Sequence, residues 1–219
     1  MNEQSGRVFS IAEENPPIDG CTISTQVYQT EDTGIMYFSM SAGTNISAET
    51  YEYPKLCKME SGNMEVFTND ERSWQLSAGD SILLPQSVPV GMRTTDGCIY
   101  TEFDFGGNTN MNQVLKSGEV FKLKDLLPYQ DGKIINMDLV DDLNVKFVIM
   151  SFAAGTGLAE HAAPGEALIF ALDGQGSIGY EGKEYNIKTG ESFKFAKNCR
   201  HYVKADGNFN MALLLTLKD

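Results

Sequence analysis

Histidine is nearly absent from this sequence: His161 and His201 are the two in 219 residues. Basic side chains are also few. Seventeen Lys+Arg stand against thirty Asp+Glu, a net charge of −13, which excludes a partner held by its phosphate backbone. Tryptophan occurs once, as Trp74. The four cysteines (Cys21, Cys57, Cys98, Cys199) are far apart, with no CxxC and no Cys/His cluster, so neither a disulfide framework nor a structural zinc site is expected. The longest apolar run, near Met211–Leu217, is much shorter than a bilayer-spanning segment, so no membrane partner is expected. The first seven residues show no basic stretch leading into an apolar one, and a cytoplasmic location is the expectation.

What the chain does have is itself, twice. Displaced by 112 positions, Ser5-Gly6-Arg7-Val8-Phe9 falls on Ser117-Gly118-Glu119-Val120-Phe121. Asp19-Gly20 falls on Asp131-Gly132, Ala42-Gly43-Thr44 on Ala154-Gly155-Thr156, and Gly62 on Gly174. Fourteen identities hold over the 58 positions from 5 to 62, and after a one-residue slip Gly79-Asp80 meets Gly190-Glu191. Glycines kept in register over such a distance indicate two homologous domains, about 1–110 and 111–219. Each copy carries short apolar or aromatic runs, such as Ile35–Met40, Lys146–Phe152 and Ser81–Leu84, mostly bounded by turn residues. Glu181-Gly182-Lys183 reads as a hairpin turn, with Asp70-Glu71-Arg72 in its place in the first copy. One short helix is expected near Lys122–Leu127, stopped by Pro128. The fold class is all-β, two small barrels or sandwiches in tandem.

In the second copy, Gly155 is followed by His161, Ala163, Ala167 and Gly174, then by Gly190, Ala196, Asn198 and His201. This spacing resembles the two signatures of the cupin superfamily, G-x5-H-x-H-x3-E-x6-G and G-x5-P-x-G-x2-H-x3-N. In the first copy Gly43, Gly62, Gly79 and Pro85 stand in the equivalent places. The resemblance implies two jelly-roll barrels, and in many cupins a divalent metal held by three His and one Glu. The departures fall on those ligands. His161 and His201 fit the first and last positions, while the second His is Ala163 and the Glu is Ala167. Glu166 is offset by one residue, which on a strand turns a side chain to the opposite face. In the first copy the four positions read Glu49, Tyr51, Lys55 and Val90.

Two imidazoles facing one another suit one divalent transition metal, with Cys199 as a third ligand two residues before His201. The same pair can line a pocket and bind a small molecule by hydrogen bonds. It can also supply a general base, as in the sugar-nucleotide epimerases that share the implied fold, although Tyr202 should point away. In the first copy Glu49, Tyr51, Tyr53 and Lys55 share one strand parity, giving either a polar ligand pocket or a buried salt bridge that fills a disused one. Pro54 interrupts that strand. Trp74 reads as a packing residue. Gly174-Gln175-Gly176-Ser177-Ile178-Gly179 spells GxGxxG but is followed by a hairpin rather than a helix, so no dinucleotide site is expected.

The expected function is therefore small-molecule binding, ligand unassigned, with little or no catalysis. A metal-dependent oxygenase or isomerase using His161 and His201 is the alternative. A third reading makes the first barrel scaffold, in place of the partner that single cupins recruit, and a homodimer stays open.

Overall fold

The runs picked out by their patterning lie in strands, and the computed structural model describes residues 1–31, 33–106 and 109–217 of them and their connections. In chain order the first ten strands are β1 (Val8–Phe9), β2 (Thr22–Gln29), β3 (Thr33–Met40), β4 (Asn45–Thr50), β5 (Lys55–Thr68), β6 (Ser73–Ser77), β7 (Asp80–Leu83), β8 (Pro89–Arg93), β9 (Cys98–Phe105) and β10 (Val120–Lys122). The remainder are β11 (Ile134–Asp141), β12 (Val145–Phe152), β13 (Gly157–Ala162), β14 (Glu166–Tyr180), β15 (Lys183–Lys188), β16 (Ser192–Phe195), β17 (Arg200–Lys204) and β18 (Phe209–Thr216). The helix expected near Lys122–Leu127 is a single 3-10 turn, Leu123–Leu126. Pro128 disfavours the helical region at Leu127 and stops the turn there, whereas the equivalent segment of the first copy makes one α-helical turn, Ile11–Glu14.

The chain divides into two units. One comprises Met1–Asn2, Ile11–Thr109 and Gln113–Lys122; the other comprises Glu3–Ser10, Asn110–Asn112 and Leu123–Asp219. The homologous segments at the start of each copy are thus exchanged. β10 completes the first unit by pairing with β7, Val120 opposite Ile82 and Phe121 opposite Ser81. β1 completes the second by pairing with β16, Val8 opposite Phe193 and Phe9 opposite Ser192. Among the described residues the first unit orders its strands β10-β7-β5-β9-β3-β2, with β4, β8 and β6 attached through β5. The second repeats the order as β1-β16-β14-β18-β12-β11, with β13, β17 and β15 attached through β14.

A long strand serves both sheets of each unit. The first half of β5 pairs with β7 and β9, and its second half with β6 and β8; β14 does the same with β16, β18, β15 and β17. The bend between the halves falls at a bulge followed by the repeat's shared glycine. Gly62 has φ +74° and would bring a Cβ within 2.1 Å of the Gly97 carbonyl oxygen; Gly174 has φ +75° and would meet the Asn208 carbonyl oxygen at 1.9 Å. Only glycine fits there. Glu181 and Gly182 both have positive φ (49° and 76°), and Tyr180 pairs with Lys183, as a two-residue hairpin turn demands.

The enclosed faces form two distinct cores. In the first unit Met40, Cys57, Met59, Met64, Met92 and Cys98 surround Tyr100, whose hydroxyl donates to Met92 Sδ at 3.1 Å. In the second the fill is aromatic and branched: Phe152, Ile169, Ile178, Phe193, Phe195 and Phe209. Trp74 is partly buried against the first core, with Gly118 of the exchanged arm tight against its ring. No helix among the described residues is long and apolar enough to cross a membrane.

Candidate functional site

Strands β13 and β17 bring the two histidines face to face. His161 and His201 are register partners, and their ring centroids lie 4.4 Å apart at an interplanar angle of 56°. His161 is exposed, whereas His201 is 5% exposed and stacks on Phe195 at 4.0 Å. Each ring is fixed the same way. His161 Nδ1 lies 2.9 Å from the Ala159 carbonyl oxygen, and His201 Nδ1 lies 3.0 Å from that of Cys199. A carbonyl only accepts, so both Nδ1 atoms carry the proton and both Nε2 lone pairs are left for another partner. Burial holds His201 below the ordinary histidine value, and the neighbouring His161 adds to that, against the opposing hydrogen bond to Cys199. His201 is therefore a neutral acceptor near pH 7.

The other two positions of the motif are apolar and small. Ala163 is half-buried, and Ala167 belongs to the second core, opposite Phe195. Glu166 lies on the other face of β14 and is held by Lys194, Nζ to Oε1 2.6 Å. Cys199 packs against the core; burial, and then the influence of this thiol, push Tyr180 above its usual value. Tyr202 points away from the pair: its hydroxyl donates to Glu184 Oε2 at 2.5 Å, and its ring covers Gly179. Among the described residues no three His, Cys, Asp or Glu side chains gather as a metal-ligand set. The donors at this site are thus two imidazoles, half of the set the motif's resemblance implies.

The equivalent place in the first unit is built differently. Glu49 is exposed opposite the buried Val90, the register that His161 and His201 hold in the second unit. The strand breaks after Thr50, so a common parity does not run on through Tyr51, Tyr53 and Lys55. Tyr53 is 45% exposed; Tyr51 is half-buried against the core, with the Lys55 ammonium 4.7 Å from its ring centroid. Lys55 Nζ is 2.7 Å from Glu102 Oε1 and 3.4 Å from Asp104 Oδ2. Lys55 is thus in a buried salt bridge, and its partners are on β9 rather than at Glu49.

Burial works to lower the Lys55 pKa, but the two carboxylates outweigh it and the net shift is upward. Burial pushes Glu102 above the usual carboxylate value in spite of the ammonium beside it. Tyr51 is likewise raised, by burial and then by the Glu102 charge. Sequence reasoning assigned Glu102 and Asp104 nothing. Their signal was present in Cys98–Phe105, where Tyr100, Glu102 and Asp104 alternate with Thr101, Phe103 and Phe105. Phe103 and Phe105 stack on one another on the opposite face, so the pattern's apolar face was not the enclosed one.

Two barrels of this topology, with a paired-imidazole site between the equivalents of β4 and β8, define a double-barrel cupin. A cupin-domain family model matches residues 148–217, and the fold is that of solved cupins across the whole chain, which supports a place in the cupin superfamily. One similar structure is a cupin 2 conserved barrel domain protein from Leptotrichia buccalis, with 26% identity, 98% of each chain covered and TM-score 0.85. The fold is also that of a salicylate 1,2-dioxygenase from Pseudoaminobacter salicylatoxidans (10% identity, 96% of this chain and 80% of that one, TM-score 0.65). A Lactobacillus farciminis oxalate decarboxylase shares it as well (14% identity, 99% and 87%, TM-score 0.54). No curated protein matches the sequence.

Proposed function

We propose that this protein binds a small molecule in its second barrel through His161 and His201, with little or no catalysis. The observation that carries the reading is the shared hydrogen-bonding state of the two rings. Both Nδ1–H groups are committed to their own strands, and the two Nε2 atoms are left for a ligand on neighbouring rings. Such a pair suits a ligand carrying two adjacent donors, for instance an amide, urea or diol, with the stacked Phe195 fixing the His201 ring. Ala163 and Ala167 offer no charge and no nucleophile to a reacting group.

A second reading is favoured by the same tautomers, because a metal-bound imidazole also donates its far N–H to a backbone carbonyl. On that reading His161 and His201 would hold a divalent transition metal that supplies Lewis-acid or redox chemistry.

A thermal-shift screen of amides, polyols and organic acids against the purified protein, run beside elemental analysis, separates the two. The expected outcome is a stabilising compound whose effect disappears in His161→Ala, with metal far below stoichiometric in the wild type. A stoichiometric transition metal lost in both His161→Ala and His201→Ala would replace binding by the metal-dependent reading.

A further inference from the structure

We propose that the outer face of the first barrel's β4-β8-β5-β6 sheet is a binding groove for a neutral saccharide, with the Arg93–Glu65 pair and the carboxamides of Asn45, Asn63 and Gln75 as its hydrogen-bonding groups. The groove is separate from His161 and His201, and the inference stands apart from the function proposed for the second barrel. Met64, Val66, Leu76 and Met92 turn inward to the first core. Strand alternation then turns Asn63, Glu65, Phe67, Gln75 and Arg93 outward. With Gly43, Thr44 and Asn45 they border about 390 Å3, within the size range of small-molecule sites.

The lining suits a ligand made of hydroxyl groups. A hydroxyl donates and accepts at once, so it needs both kinds of partner within reach. Arg93 gives Nε and Nη2 to Glu65 at 2.9 and 2.8 Å, which fixes the guanidinium and leaves its Nη1 hydrogens to donate. Arg93 first, then Gln75 and Ser73, hold the Glu65 carboxyl below its usual value against the opposing effect of burial, so it stays an acceptor. Each of the three carboxamides adds a donor and an acceptor. The charges of Arg93 and Glu65 cancel, and acidic residues outnumber basic ones in the first half of the chain, so an anion gains nothing here. Phe67 supplies an apolar wall. It lies across its register partner Gly91, where a Cβ would come within 2.5 Å of the ring, and the Arg93 guanidinium is 5.0 Å from the ring centroid. Such a wall takes the C–H face of a sugar ring while the hydroxyls reach the polar groups.

The internal repeat provides a comparison within the molecule. Gln175 and Asn186 stand where Asn63 and Gln75 do, and they line a groove of about 350 Å3 on the second barrel. There Lys204, Ser177 and Gly179 replace Arg93, Glu65 and Phe67. The carboxamides recur, but the clamp and the ring belong to the first copy, and the saccharide is assigned to that groove alone.

The test is saturation-transfer NMR on the full chain with glucose, galactose, mannose, maltose and cellobiose, and with glucuronate as the anionic comparison. At least one neutral sugar should bind, with a dissociation constant on the order of 1 mM. Gln75→Ala and Arg93→Met should each weaken it about tenfold. Their melting temperatures should not move, because both side chains are exposed. His161→Ala and Asn186→Ala should bind as the wild type does. The proposal falls if no sugar of the panel binds, or if glucuronate binds more tightly than every neutral sugar. It falls equally if binding is lost in His161→Ala or Asn186→Ala and kept in Gln75→Ala.

Discussion

A lysine amine behaves in opposite ways depending on whether burial or an acid partner dominates, and Lys55 is settled by its partners. Its folded pKa lies above the ordinary 10.5, so above that pH the folded state binds more protons than the unfolded one. The stability from this pair is therefore whole below pH 10.5 and is lost as pH rises through the raised folded value. At neutral pH, Lys55→Met should cost on the order of 3 kcal/mol in urea unfolding, because Glu102 is left buried and uncompensated. That difference from the wild type should shrink in alkali; a constant difference would mean that packing, not charge, is what the lysine contributes. Residues also mark where sequence reading reaches its limit. Placing His161 and His201 together needed only the repeat and the motif spacing. The partners of Lys55 could not be placed, because both faces of β9 are buried and alternation then fails to say which face is enclosed.

The long strands β5 and β14 show how much of the elements was legible. Glycines at 62 and 174 were visible as a conserved register of the repeat, but a glycine in a list of turns does not announce a bend within one continuous strand. The contacts do: a methyl group at either position collides with backbone and not with a movable side chain. Gly174→Ala and Gly62→Ala should each lose on the order of 3 kcal/mol, from left-handed strain and the clash together. Gly155→Ala is the control. It has φ +76° but nothing within 4 Å, so about 1 kcal/mol is expected from strain alone. Chemical denaturation of the three variants ranks them directly.

For the whole molecule, the repeat announced two domains but not which segment completes which. The segments Ser5–Phe9 and Ser117–Phe121 differ only at Arg7 and Glu119 and are interchangeable by pattern, and nothing local distinguishes a strand that pairs within its own copy from one that crosses. Because the arms are exchanged, residues 111–219 expressed alone lack the Glu3–Ser10 segment that belongs to the second unit. They should not give a folded monomer. Light scattering should instead show aggregate, or a dimer in which Val120 and Phe121 of one copy occupy the place of Val8 and Phe9 on the other. Adding the Glu3–Ser10 sequence as a peptide should restore a monomer; a stable monomer without it would show the arm to be dispensable.

The exchange also sets a timetable on the ribosome. Residues leave the tunnel in order, and the first unit has all its strands once Lys122 has emerged. The second unit needs Val8 and Phe9, made ahead of nearly all of the first barrel, to pair with Phe193 and Ser192, made after most of the second. Until then the apolar arm has no strand to join and must stay clear of the folding first barrel. Its brevity and the flanking Glu3 and Arg7 charges favour that restraint. Synthesis speed over the second half of the chain, more than the stability of either barrel, should then govern the yield of correctly closed protein.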